Sequence, residues 1–412
     1  MSPGYFFYAY RRCRRMVMAE AIGKKVKEKK VKENIVKPVR YFDYNLLFIT
    51  MFLCIFGLIM IYSAGIVSAE GAGDNFVKQA GIIVFAAIGT FVAMKWVPFS
   101  FWNRVSPYLY LITLILIVLV KTPLGHTSHG ATRWVYFGPI SIQPAEVAKL
   151  AVILFTASVL MMSKDKMNKL KVAIVVFVPT IIVFFMVLIL TRNLSSALII
   201  LFIATAMYFV VHPDWKVFLS IVALVLIVAV IIVVYVDSID VSNMDLDDLG
   251  NFRLGRIIAW RQPETFSNDE SMQTLNALYA IGSGGLFGKG LGSSIMKAKL
   301  PEVQNDMIFA IVCEELGLFG AFVLILLFVL LLHRIVFVAR NSVNTFGALV
   351  STGIFSQFAI QIILNIGVTT NMLPNTGVTL PFISYGGSAI AILVFEIGLV
   401  LKTSRYIPVQ QD

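Results

Sequence analysis

Residues 300–332 read LPEVQNDMIFAIVCEELGLFGAFVLILLFVLLL, a short polar stretch that runs into one long apolar one. From Ile308 to Leu332 the run is long enough, as a helix, to cross about 30 Å of hydrocarbon. Asp306 sits at the boundary. A carboxylate there keeps contact with water but faces low-dielectric surroundings, where its proton affinity and reach can be tuned. It is a candidate chemical site at a membrane surface, or else a helix-start acid that complements the helix dipole. Position alone favours neither reading.

Working outward, apolar runs of spanning length recur. Hydrophobic residues make up 58% of the 412 and charged ones 14%, with a mean hydropathy of +0.85. A soluble domain has roughly 45–50% apolar and about 25% charged residues. The expected fold class is therefore all-α, a polytopic membrane protein. Its spans are expected near 44–66, 79–96, 107–121, 143–162, 171–190, 195–211, 216–236, 308–332, 346–367 and 381–401, about ten transmembrane helices. Three parts follow: a basic tail at 1–43, the helical domain at 44–405 with one large loop at 237–307, and a short end at 406–412.

Lys and Arg in the short loops set the orientation. With the N-terminus inside, the inner segments carry eleven and the outer loops four, and the first 43 residues add twelve. Both termini are expected in the cytoplasm and the 237–307 loop outside. The tail, from Arg11-Arg12-Cys13-Arg14-Arg15 through Lys24–Lys30, accounts for most of the +11 net charge. Beside a membrane span its partner is the anionic inner leaflet rather than nucleic acid. Residues 5–22 lack the apolar core of a cleavable signal, so the first span serves as an uncleaved anchor.

Several chemistries find no support. Cys13, Cys54 and Cys313 form no metal spacing and no expected disulfide. His126 and His129 share a loop without an acid or thiol beside them and read as solvated. No nucleotide-binding glycine motif appears. No metal and no cofactor are expected.

Polar residues inside spans are costly and should face a cavity or a partner. In Gln143-Pro144-Ala145-Glu146-Val147-Ala148-Lys149, Pro144 suits a first helical turn and Glu146 and Lys149 form an i,i+3 pair. The pair either neutralises itself to hold register or walls a polar cavity where Lys149 meets an anionic head group. Upstream, Arg133-Trp134 is either an interfacial anchor or a pyrophosphate fork beside a stacking surface. In 282–292, GSGGLFGKGLG, six glycines in eleven residues exclude a regular helix. A flexible loop and a re-entrant binding loop explain them equally. Lys289, Lys297 and Lys299 lead on to Asp306, cations that suit an anionic leaving group. Glu314 and Glu315 are adjacent acids in an apolar helix, so at least one should face a cavity or a base. In Pro374–Ser388, small polar residues open a span and either allow tight packing or leave room for a ligand.

Taken in order over about 44–405, these motifs resemble the SEDS family (shape, elongation, division and sporulation) of bacterial membrane proteins. The resemblance rests on Arg133-Trp134, Gln143-Pro144-Ala145-Glu146 through Lys149, the 279–292 stretch YAIGSGGLFGKGLG, Leu300-Pro301-Glu302 through Asp306, Glu314-Glu315-Leu316-Gly317 and the 379–388 stretch TLPFISYGGS. It implies a peptidoglycan glycosyltransferase that polymerises lipid II and works with a class B penicillin-binding protein. It implies Asp306 as the catalytic carboxylate. Arg133, Trp134, Glu146, Lys149, Lys289, Glu302, Glu315, Ser384 and Ser388 are the candidate substrate-binding residues.

Where the family often has Pro-Glu-Ala-His-Thr-Asp-Phe, this chain has Val303-Gln304-Asn305 before Asp306 and Met307 after it. Gln304 excludes a histidine role there, while the aspartate stays in register. The Gly377-Val378-Thr379-Leu380-Pro381 pattern leans towards the FtsW-like division branch over the sporulation and elongation branches. That branch implies a septal location and other division proteins as partners.

The chemistry is coherent. Lipid II carries its sugar on an α-linked pyrophosphate and the glycan is β-1,4 linked, so inversion needs one base and positive charge for the leaving group. Two paired carboxylates are not required, because the leaving group needs no proton. A lipid II flippase using the same polar interior, and a non-catalytic division scaffold, remain rival readings.

Overall fold

The computed structural model describes residues 41–66, 72–128, 131–138, 140–163, 170–212, 269–298, 300 and 303–408, with single positions between 216 and 261. The elements run α1 (Tyr44–Gly65), α2 (Ala72–Trp96), α3 (Phe99–Leu119), β1 (Gly125–Ser128), β2 (Ala131–Phe137), β3 (Ile140–Ile142), α4 (Pro144–Met162), α5 (Leu170–Leu190), α6 (Leu194–Val211), α7 (Asp269–Ser283), α8 (Ile308–Asn341), α9 (Thr345–Thr369) and α10 (Gly387–Ser404). Among the described residues, nine helices are long and apolar enough to cross a membrane, all of these except α7. The chain is a mostly helical polytopic membrane protein, as its composition requires. The seventh expected span, 216–236, and the basic tail up to residue 40 lie outside the described residues, single positions apart.

Local chemistry sets the helix starts. Asp43 caps α1, its carboxylate accepting from the Leu46 N–H at 2.9 Å. Asn193 and Asn344 do the same for α6 and α9, at 2.9 Å and 2.8 Å. Pro144 occupies the first turn of α4, where a missing N–H costs nothing.

The spans differ from expectation where polar residues turn inward. α2 begins at Ala72, ahead of the expected 79, because Asn75 and Gln79 are buried rather than loop residues. The helix ahead of Pro107 is intact back to Phe99. The Asn103 carbonyl, which proline cannot serve, accepts instead from the Ser106 hydroxyl at 2.9 Å. α8 runs past 332 to Asn341 because Arg334 has a buried partner. α10 starts only at Gly387, and the residues before it fold into the core as turns, with Leu380, Phe382 and Ile383 buried.

A small sheet adds to the all-α reading. β1, β2 and β3 form a three-stranded antiparallel meander, with Val135 opposite Gly125 and Ile142. Residues 122–142 read as loop in the sequence because the strands are short and lack a clean alternation. Val135 is fully buried.

α4, α9 and α10 form the interior of the bundle, whereas most of α2 and α3 faces outward. Two polar clamps join α1 to α8. At one end Arg334 donates to Asp43, the shortest contact 2.6 Å, and to the Tyr41 hydroxyl at 2.7 Å. The Asp43 N–H meanwhile donates to Ser404 Oγ at 3.2 Å. At the other end Ser63 donates to Glu315 at 2.6 Å. Between the clamps, the 22 residues of α1 rise about 33 Å, the thickness of a bilayer core.

Candidate active site and the polar interior

Asp306 sits one residue before the cap of α8 and is half-buried. Two tethers place it. The Asn365 side chain on α9 donates through one nitrogen to the Asp306 carbonyl and the Val378 carbonyl, both at 2.8 Å. The Tyr385 N–H donates to the Gln304 carbonyl at 2.8 Å. The Val303–Asp306 stretch and the 374–388 stretch, separate motifs in the sequence, thus meet at one corner. Gly377 lies beside the carboxylate, and a Cβ there would stand 3.8 Å from Asp306 Oδ2. Its φ of +63° is one that side-chain-bearing residues seldom adopt. The result is a backbone held firmly at Asp306, just before a helix start.

Asn365→Leu is expected to leave two inward-facing carbonyls unserved. The loss should be about 1–3 kcal/mol of stability, with turnover falling more than substrate affinity as Asp306 loses its tether. Thermal unfolding and a kcat/KM split check both.

The glycine stretch is neither a free loop nor a separate pocket wall. It is spliced into α8. At Gly317 the helix breaks, with φ 68° and ψ −168°. In a continuous helix Leu318 and Phe319 would donate to the carbonyls of Glu314 and Glu315. Here the N–H groups of Lys289 and Gly290 serve those carbonyls, at 3.0 and 2.9 Å. Leu318 and Phe319 donate instead to the carbonyls of Gly285 and Leu286, at 3.0 and 3.1 Å. Only glycine permits the approach. A Cβ on Gly288 would lie 2.2 Å from the Glu315 carbonyl oxygen.

The splice explains how two adjacent acids survive in the bundle. Both are fully buried and each has its own lysine. Glu314 Oε1 meets Lys289 Nζ at 2.7 Å and also accepts from the Ile295 N–H, while Ser294 Oγ donates to Oε2. Glu315 lies 3.6 Å from Lys297 Nζ and accepts from Ser63. Lys289 and Glu315, both expected at the substrate, therefore hold this loop to the helix.

Glu146 and Lys149 form the expected ion pair, 2.7 Å apart, and both are buried. Their neighbours include a residue the sequence reading passed over. Glu396 on α10, fully buried, accepts from Gln357 Nε2 at 3.0 Å and lies in the field of both Lys149 and Glu146. It is the lone acid of an apolar span, and the rule that flagged Glu314 would have found it. Asn365 and Gln357 carried no motif, and their roles emerge only from packing.

The remaining candidates divide. Arg133 and Trp134 lie side by side on β2, both half-buried, with Trp134 opposite His126. Ser388 Oγ accepts from the Gln143 N–H at 3.1 Å, which ties the start of α10 to the start of α4. Ser384 Oγ accepts from the Leu380 N–H at 2.8 Å and closes the turn beside Asp306's corner. Glu302 and Lys299 lie outside the described residues, as does His129.

The family described as "Cell cycle protein", comprising FtsW, RodA and SpoVE, matches residues 44–408. Stage V sporulation protein E of Bacillus subtilis is 36% identical over 88% of this chain and 97% of its own length. The probable peptidoglycan glycosyltransferase FtsW of the same organism is 32% identical over 91% and 94%. Among solved structures, a chain of a peptidoglycan synthase complex that coordinates polymerization and crosslinking superposes with a TM-score of 0.70. It is 23% identical and covers 88% of this chain and 98% of that one. Thermus thermophilus RodA, at 24% identity, gives 0.62 over 90% and 98%. At those identities the two structures carry the fold, and the match from α1 to beyond α10 carries the lineage: this chain belongs to the FtsW/RodA/SpoVE family.

Proposed function

We propose that this chain is a peptidoglycan glycosyltransferase, polymerising lipid II into β-1,4 glycan at the outer face of the cytoplasmic membrane. Asp306 is the general base on the acceptor's GlcNAc 4-hydroxyl, and inverting transfer releases the donor's undecaprenyl pyrophosphate. The observation that carries the reading is the double tether through Asn365 and the Tyr385–Gln304 bond, which holds the backbone of part-exposed Asp306 just before a helix start. A flippase has no need of a positioned base there. Arg133 and Trp134 are the assigned contacts for pyrophosphate and a ring. Lys149 joins them if its pair with Glu146 opens to substrate, and Glu302, Ser384 and Ser388 flank the same corner in sequence.

The purified chain, given lipid II with and without a class B penicillin-binding protein, is expected to form polymer that a glycan gel resolves. Head-group translocation without polymer would favour the flippase instead. The proposed partner transpeptidase rests on the likeness to a synthase complex, and its dependence is read from the same assay.

The division branch is proposed on the 377–381 pattern. The sporulation branch is the second reading, favoured by the 36% identity to the sporulation protein against 32% to FtsW. Depletion separates them, giving blocked septa in growing cells in the first case and a spore-wall defect alone in the second.

The orientation places both termini inside and 237–307 outside, from the Lys/Arg asymmetry. A single cysteine at position 248 should react with an impermeant reagent in whole cells. Reaction only after permeabilisation would reverse the topology and remove Asp306 from the outer face.

A further inference from the structure

The interior of α4, α9 and α10 holds charges that do not balance. Glu146 and Lys149 neutralise each other at 2.7 Å. Glu396 adds a second carboxylate, and Lys149 and Glu146 are the charged groups whose field reaches it. Exposure is 5% for Glu146, 1% for Lys149 and none for Gln357 and Glu396. Two carboxylates against one ammonium leave one negative charge, and an unpaired charge in such surroundings is strongly unfavourable.

A second observation is independent of charge. Three oxygens of this group, Glu146 Oε2, Gln357 Oε1 and Glu396 Oε1, are buried without a hydrogen-bond partner among the described residues. Buried acceptors are rarely left so. They belong to three different helices that pack on one another. Gln357 is turned so that its amide nitrogen serves Glu396 at 3.0 Å, which leaves its oxygen among the unserved set.

We infer that Glu146, Gln357 and Glu396 form a binding site for one monovalent cation, a proton or an alkali-metal ion, inside the membrane domain. One positive charge balances the group, and an all-oxygen donor set suits a proton or a hard ion. A divalent ion would leave the opposite imbalance. The site does not depend on glycosyl transfer.

The test uses the full chain in lipid nanodiscs and two readouts that need no lipid II. Infrared spectroscopy at neutral pH looks for a protonated-carboxyl C=O band. Thermal unfolding compares sodium, potassium and N-methylglucamine chlorides at equal ionic strength. If the occupant is a proton, wild type shows the band and Glu396→Gln loses it. If it is an alkali ion, wild type unfolds at a higher temperature in sodium or potassium, and the difference disappears in Glu396→Gln. Gln357→Leu, which removes an oxygen without changing charge, should shift the band or weaken the salt effect, and it serves if Glu396→Gln does not fold. Absence of both the band and the cation-specific shift in wild type overturns the site. So does their persistence in both variants. Either result leaves the glycosyltransferase reading untouched.

Discussion

Asp306→Asn is expected to give a folded chain that makes no glycan. The amide is nearly isosteric, and the tether from Asn365 reaches the backbone carbonyl rather than the side chain, so the corner survives the change. What disappears is the ability to accept a proton. Loss of a positioned general base costs about 10²–10⁴-fold in rate. An acid that merely complements a helix dipole predicts something else, a stability loss of about 0.3–1 kcal/mol with near-normal turnover. The two accounts move different quantities. The purified variant with its partner should form the complex, keep its unfolding midpoint and leave no polymer on a gel. Polymerisation within about threefold of wild type would remove Asp306 as the base, since that is far below the general-base range.

Lys149→Met should be the most damaging single change to the fold. The pair is buried on both sides, and removing one partner of such a pair costs about 3–5 kcal/mol. The membrane-inserted yield and unfolding midpoint of Lys149→Met should fall, or activity should vanish. Adding Glu146→Gln to Lys149→Met should recover part of the fold, since it removes a stranded charge. Wild-type stability and turnover in both variants would mean that the pair is neither structural nor catalytic.

Much of this architecture was legible because lipid imposes a coarse rule: long apolar runs become helices, and the nine described spans all fall where such runs are. Legibility failed where polar residues turned inward. Asn75 looked like loop and is helix, one turn ahead of Gln79, which bonds the backbone at Ser384 and Gly386. The β-meander was missed because four, seven and three residues give too short a pattern to read. For the site, Asp306 and the Glu146–Lys149 pair could be named from spacing. Lys289 and Glu315 could be named but not placed: their partners, Glu314 and Lys297, are neighbours only once Gly317 breaks the helix. Asn365 carried no signal at all, since one amide in a span says nothing about which two carbonyls it will reach.

The exchange of hydrogen bonds at Gly317 makes α8 two rods with a pivot. Residues 308–316 carry Asp306 at their far end, and residues 318–341 are fastened to α1 through Arg334. Four backbone bonds to residues 285–290 bridge the gap, so the outer rod has no independent freedom. A force that shifts the glycine stretch pulls on that rod against the Asn365 and Tyr385 tethers at its Asp306 end. Loop displacement and displacement of the Asp306 carboxylate are then one mechanical coordinate. A restraint linking residues 287 and 319 would stiffen it without touching either substrate or base.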